Sequence, residues 1–134
     1  MSYCVLFVDD EEVMLDALRR QVGKKYEVKT AKGGEEGLRI LAVSEEIQVV
    51  IADMKMPSMN GLDFLSRVKE RSPKVIRMML TGNVDRKTAE DAVKTAEVFH
   101  YLTKPCDTHS LLQAIQMGCD LYDVQKDLSQ MSSH

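Results

Sequence analysis

The stretch Cys4-Val-Leu-Phe-Val-Asp-Asp-Glu-Glu12 opens on five apolar residues and breaks off at four acids. A β-branched and aromatic run of that length is too short for a helix and reads as a buried strand. From Glu11 to Gly23 the pattern turns helical: Met14, Leu18 and Val22 recur at four-residue spacing, with Val13 and Ala17 beside them. Glu11 and Glu12 lie at the positive end of that helix dipole, Arg19, Arg20, Lys24 and Lys25 at or past its negative end, and Gly23 can close it.

The same unit, strand then acid then helix, returns further along. Val49-Val-Ile-Ala52 stops at Asp53, and a loop with Pro57 leads to Asn60, an N-cap with Asp63 at N3, ahead of Leu62, Leu65 and Val68. Val75 to Leu80 stops at Thr81-Gly82, and Asp85 can cap a helix carrying Ala89, Ala92, Val93 and Ala96. Tyr26, Val28 and Thr30 alternate with charged residues, as at a sheet edge, and Gly33-Gly34 leads into a helix with Leu38, Leu41 and Ala42. Val98 to Thr103 is a fifth strand ending at Lys104-Pro105; Asp107 or Thr108 caps a last helix with Leu111, Leu112 and Ile115. Strict alternation of this kind predicts a doubly wound five-stranded parallel sheet with five helices on its two faces. The apolar strands one, three and four belong in the middle, which gives the order 2-1-3-4-5.

Composition narrows the function classes. With 134 residues, 44% hydrophobic and 29% charged, the chain can bury one domain's core without disulfides or metal staples. Its apolar runs fall far short of the roughly 20 residues of a membrane span. No basic stretch precedes the first of them, so neither a signal peptide nor a membrane partner is expected. Cys4, Cys106 and Cys119 form no CxxC pair and leave an odd thiol, which points to the reducing cytoplasm. A net charge of −3 without a basic run disfavours direct nucleic-acid binding by this segment. Neither GxGxxG nor GxxxxGK[ST] occurs, and the three histidines have no ligand-like spacing.

Five residues follow directly on the strands: Asp9, Asp10, Asp53, Thr81 and Lys104. Parallel strands place all of them on one rim, where ligands bind in such sheets. Three carboxylates so crowded repel one another and call for a cation, and hard oxygen donors suit Mg2+ or Mn2+. A metal there would quench repulsion between a carboxylate nucleophile and an incoming phosphoryl group. The Lys104 ammonium and the Thr81 hydroxyl would take up charge on the phosphoryl oxygens. The rim reads as an acceptor that forms an aspartyl phosphate. Singly, each acid is as well explained as a helix cap or a solvated turn; the joint placement carries the reading.

Four motifs stand on that rim: Phe7-Val-Asp-Asp-Glu11, Asp53-Met-Lys-Met-Pro57 with Met59-Asn-Gly61, Met79-Leu-Thr-Gly82, and Tyr101-Leu-Thr-Lys-Pro105. Through them the chain, from about Tyr3 to Ile115, resembles the response-regulator receiver domain of two-component signalling. The resemblance implies a flavodoxin-like fold and Asp53 as the residue that takes a phosphoryl group from a sensor histidine kinase or a phosphotransfer protein. It implies Asp10 and Asp53 as side-chain ligands of Mg2+ (or Mn2+), the Lys55 carbonyl as a third ligand, and Asp9 acting mostly through metal-bound water. It further implies Lys104 as the ion-pair partner of the phosphate, a cis peptide before Pro105, and Thr81 with Tyr101 as a switch pair. The output surface is then the face of helix four, strand five and helix five. Lys55 and Asn83, two residues past the acceptor and the switch threonine, are expected to flank the path of the hydrolytic water and set the phosphate's lifetime.

Two departures and a tail add detail. Lys94-Thr-Ala-Glu-Val98 has no glycine where many receivers have Ala-Gly-Ala, so the exit from helix four should differ in shape. The Leu80-Thr-Gly82 and Tyr101 to Cys106 wording resembles receivers attached to HD-type phosphohydrolase outputs. On this reading residues 1–117 form the receiver and 118–134 an extension of helix five, a linker or dimerisation helix. Met117, Leu121, Val124, Leu128 and Met131 follow one another at spacings of four, three, four and three, as in a coiled-coil seam. The alternative is a tail that packs on its own domain.

Other functions fit less well. An aspartyl-phosphate hydrolase of small molecules would share nucleophile and Mg2+ but generally places a second acid two residues after the nucleophile, where this chain has Lys55. A phosphate-independent interaction module would not need the complete set of acids with Thr81 and Lys104. A flavin-binding sheet of this topology would need a phosphate loop after strand one, where acids stand.

Overall fold

The computed structural model describes residues 3–44, 46–82 and 85–132. Strands and helices alternate along it: β1 (Cys4–Val8), α1 (Glu12–Val22), β2 (Glu27–Ala31), α2 (Gly34–Val43), β3 (Val49–Ala52), α3 (Gly61–Arg71), β4 (Ile76–Thr81), α4 (Arg86–Ala96), β5 (His100–Thr103) and α5 (Thr108–Ser132). All neighbouring strands pair in parallel, in the order β2-β1-β3-β4-β5. This is the doubly wound, flavodoxin-like arrangement that the alternation predicts.

Burial explains the strand composition. Every residue of β1, β3 and β4 is buried, which is why β1 and β3 read as continuous apolar runs and β4 departs from one only at Arg77 and its terminal Thr81. The edge strands β2 and β5 each bury a single residue, Ala31 and Leu102. The pleat then divides the core between the two faces. Leu6, Val8, Val50, Ala52 and Met79 pack with Leu38, Phe64, Leu65, Val68 and Ala92 of α2, α3 and α4. Val5, Phe7, Ile51, Met78 and Leu80 pack with Leu15, Leu18 and Val22 of α1 and Leu111 and Ile115 of α5.

The starts of α3, α4 and α5 are fixed by side chains that accept orphan amide protons. Asn60 accepts from the Asp63 N–H at 2.8 Å and Asp85 from the Thr88 N–H at 2.8 Å. Asp107, rather than Thr108, caps α5, accepting from the Ser110 N–H at 2.7 Å.

Several local readings shift. On α1 the inward stripe is Leu15, Leu18 and Val22, while Val13 is 80% exposed. On α4 the contact face is alanine, Ala92 and Ala96, with Val93 turned outward. Strand β5 starts at His100 rather than Val98, because the chain first closes α4 through Glu97 in the left-handed region, at φ 49° and ψ 54°. The altered helix-four exit thus takes a concrete form. The Glu97 carboxylate pairs with Lys69 at 3.3 Å and with Arg77 at 3.7 Å. Arg77 is buried within β4, its Nε donating to the Ala96 carbonyl at 2.7 Å and its Nη1 to the Val75 carbonyl at 2.9 Å and the Pro73 carbonyl at 3.2 Å.

Helix α5 is continuous to Ser132. Gly118 lets it approach the sheet closely, since a Cβ there would lie 2.6 Å from Met78 Cε. Tyr3 donates its hydroxyl to Asp123, and that hydrogen bond, with burial and the carboxylate's charge, pushes the phenol up to about 12. Among the described residues no helix is long and apolar enough to cross a membrane.

Candidate functional site

The β1–β3 register aligns Val8 with Ala52, so Asp9 and Asp53 stand side by side where the two strands end. Their backbones extend the sheet ladder by one rung: the Asp53 N–H donates to Val8 at 2.9 Å and the Asp9 N–H to Ala31 at 3.1 Å. On the other side β4 pairs Thr81 with Thr103, and the Lys104 N–H donates to the Thr81 carbonyl at 2.8 Å. The connections leaving β1 and β3 run to opposite sides of the sheet, and the crevice at such a switch point is where these sheets bind ligands.

The structure brings Asp9, Asp10, Asp53 and Lys104 together. Carboxylate oxygens of Asp9, Asp10 and Asp53 lie within 4.8 Å of one another. Asp9 and Asp53 are buried, 3% and 7% exposed, while Asp10 is open to solvent. Lys104 Nζ lies 2.7 Å from Asp9 Oδ2 and 3.5 Å from Asp53 Oδ2. Burial alone would lower the Lys104 pKa, but the Asp9 hydrogen bond and the charges of Asp9 and Asp53 outweigh it, so the ammonium is held above its ordinary value.

This donor set fits a hard divalent cation. It consists of oxygens only, and the lysine offsets one of three carboxylate charges, leaving a deficit that a divalent ion would match. Asp9 has both oxygens engaged already: Oδ2 accepts from Lys104, and Oδ1 accepts from the Glu11 N–H at 2.9 Å. Asp10 and Asp53 are left to offer oxygens directly.

The loop after β3 folds tightly over Asp53. The Gly61 N–H donates to the Met54 carbonyl at 2.8 Å, and a Cβ on Gly61 would sit 2.2 Å from the Asp53 carbonyl oxygen, so no larger residue fits. Beside it lies a groove of about 650 Å³ lined by Met54, Lys55, Met56, Pro57, Asn60, Asp85 and Thr88. Lys55 is exposed on its wall. Asn83 lies outside the described residues. Thr81 is buried, 2% exposed, at the end of β4. Tyr101 packs its ring against the core on the α2–α3–α4 side, and its buried hydroxyl has no hydrogen-bond partner among the described residues. Burial, then the charges of Asp85 and Asp53, raise its pKa. The peptide between Lys104 and Pro105 is cis. Of the groove-lining residues, Asp85 was legible in the sequence only as a helix cap, and Thr88 carried no signal there.

A doubly wound sheet with this acid cluster at its switch point defines the class, and comparison with known proteins gives the family. The model for the response regulator receiver domain matches residues 5–116. The chain belongs to that family. Receiver domains of two-component systems are signalling switches rather than turnover enzymes, and the family binds Mg2+ at its acidic pocket. The chain is 30% identical over 127 residues to the hydrogenase transcriptional regulatory protein HoxA of Cupriavidus necator, covering 95% of this chain and 26% of that protein. It is 36% identical over 114 residues to the transcriptional regulatory protein GlrR of Escherichia coli, covering 83% of this chain and 25% of that protein. The chain thus spans about a quarter of the length of these curated relatives. Among solved structures, it resembles an adenylate cyclase from Rhodopirellula baltica, with a TM-score of 0.93, 33% identity, and coverage of 99% and 98% of the two chains. It also resembles the signal receiver domain of an HD domain-containing protein from Pseudomonas fluorescens, with a TM-score of 0.88, 30% identity, and coverage of 92% and 99%.

Proposed function

We propose that the chain is a phosphorylation-driven switch whose acceptor is Asp53. The observation that carries this is the placement of Asp53 within one 4.8 Å cluster with Asp9 and Asp10 while Lys104 reaches both buried acids. In the reaction, a carboxylate oxygen of Asp53 attacks the phosphorus of a sensor kinase's phosphohistidine. The P–N bond breaks, and its electron pair returns to the imidazole. Bound Mg2+ would supply charge neutralisation for the phosphoryl oxygens. Asp10 and Asp53 would hold it through side chains, with the Lys55 carbonyl as a third ligand and Asp9 acting through water. Lys104 pairs with the new phosphate, whose arrival adds close to two negative charges.

The switch follows from those charges. Thr81 moves toward the phosphoryl group, and Tyr101 occupies the space it vacates; the Tyr101 hydroxyl has no hydrogen-bond partner among the described residues. The bias spreads to α4, β5 and α5, the face that meets the output module or partner. An HD-type phosphohydrolase is the output favoured by the Tyr101 to Cys106 wording and by the Pseudomonas neighbour. Lys55 and Asn83 tune the phosphate's lifetime. Three cysteines without disulfides suit a cytoplasmic setting.

Incubation with acetyl phosphate, with and without Mg2+, followed by intact mass and peptide mapping, tests the proposal. Labelling should appear on Asp53, require Mg2+ and vanish in Asp53→Asn. Undiminished labelling of that variant, or none of the wild type, would overturn it.

A further inference from the structure

Helices α2 and α3 leave a groove along the seam between them. Three hollows of about 300, 250 and 370 Å³ make it up, running from Met59 at one end to Pro73 and Lys74 at the other. They are continuous: the first two share Leu38 and Arg71, the last two share Leu41 and Ser72, and Ala42 lines all three. The small side chain of Ala42 keeps the groove open. Its floor is apolar, formed by the buried Leu38, Leu41, Val68 and Val75.

The charged lining is one-sided. Arg39 on α2, Arg67 and Arg71 on α3, and Lys74 just beyond are all exposed and face a single acid among the lining residues, Glu35, in a chain whose net charge is −3. None of the four cations has an ion-pair partner among the described residues. Arg67 and Arg71 also stand one helical turn apart, a like-charge spacing that works against their own helix.

We propose that this groove docks an acidic, amphipathic helix of a protein partner. A helix fits because its ridge of side chains can lie in the furrow between two others, and the 11 residues of α3 span about 16 Å, or three turns. The apolar face of the partner covers the floor. Carboxylates on its two flanks meet Arg39 on one wall and Arg67 with Arg71 on the other, whose guanidinium forks match carboxylates by two hydrogen bonds at a time. An anionic bilayer carries the same charge but is flat and cannot enter a furrow between helices. The groove includes none of Asp9, Asp10, Asp53, Thr81, Tyr101 or Lys104 and lies apart from the α4–β5–α5 face, so it stands independently of the function assigned to Asp53.

The probes are stapled helical peptides of about 14 residues, with leucines on one face and either glutamate or lysine on both flanks. Titrated against the full chain, the glutamate peptide should bind at least tenfold more tightly than the lysine peptide and shift amide resonances of α2 and α3. The double variant Arg39→Glu with Arg71→Glu should reverse that preference, and Ala42→Trp, which fills all three hollows, should abolish binding of both peptides. Circular dichroism and labelling of Asp53 by acetyl phosphate should be unchanged in these variants. Absence of binding, equal binding of the two peptides, or a preference that survives the charge reversal would overturn the proposal. So would co-sedimentation of the chain with vesicles of equal parts phosphatidylglycerol and phosphatidylcholine that Ala42→Trp prevents, or a self-association that Ala42→Trp abolishes.

Discussion

Glu97 occupies a backbone conformation, φ 49° and ψ 54°, that costs a side-chain-bearing residue about 1 kcal/mol more than glycine. Its carboxylate is 63% exposed, so its pairs with Lys69 and Arg77 are weakened by solvent and offset little of that strain. Glu97→Gly should therefore be more stable than Glu97→Ala by about 1 kcal/mol in urea unfolding, since both lose the pairs and only the first relieves the backbone. Equal midpoints would mean that the left-handed turn stores nothing. Arg77 is the opposite case. Its guanidinium is buried and satisfies three carbonyls, and desolvation lowers its pKa despite the Glu97 charge. Arg77→Ala leaves those carbonyls without a donor and should cost about 2–4 kcal/mol. At Gly61 the limit is steric. Gly61→Ala must displace the Asp53 carbonyl from a 2.2 Å approach, so calorimetric Mg2+ titration should show weaker binding together with lower stability.

At the scale of elements, legibility followed how local each signal is. An N-cap is a matter of three residues, so Asn60 and Asp85 could be read directly, while the last cap was narrowed to Asp107 or Thr108 and the structure selects Asp107. Asn60→Ala should cost about 1 kcal/mol, checked by thermal unfolding, because the Asp63 N–H loses its acceptor. The α1 stripe was harder: Met14-Leu18-Val22 and Leu15-Leu18-Val22 are both helical, and only packing against Val5 and Phe7 selects Leu15. The face of α4 was obscured for a related reason, since alanines that admit close approach are weak hydrophobic markers. Arg77 could not be read at all. An arginine in an apolar strand is an anomaly in the sequence, but the acceptors that permit its burial come from the loop before β4 and the far end of α4. The rim acids were legible because strand ends are local, and parallel topology alone gathers them. The Asp9–Lys104 contact, by contrast, joins residues 95 positions apart.

For the whole molecule, the acid cluster sets stability against function. The folded chain holds three carboxylates close together with one ammonium between two of them, an arrangement the unfolded chain does not enforce. Repulsion within the cluster therefore opposes folding, and a divalent cation that binds the folded state alone must raise stability by mass action. The gain should reach about 2.7 kcal/mol when free Mg2+ stands a hundredfold above its dissociation constant. Asp10 is the informative position, because it is exposed and lies outside the lysine contact, so its replacement removes charge without opening the core. Asp10→Asn should melt at or above the wild-type temperature in EDTA and gain much less from added Mg2+. The two curves should therefore cross as the metal is titrated in. An equal Mg2+ gain in both proteins would place the cation elsewhere and remove the electrostatic basis for Asp53 as the acceptor.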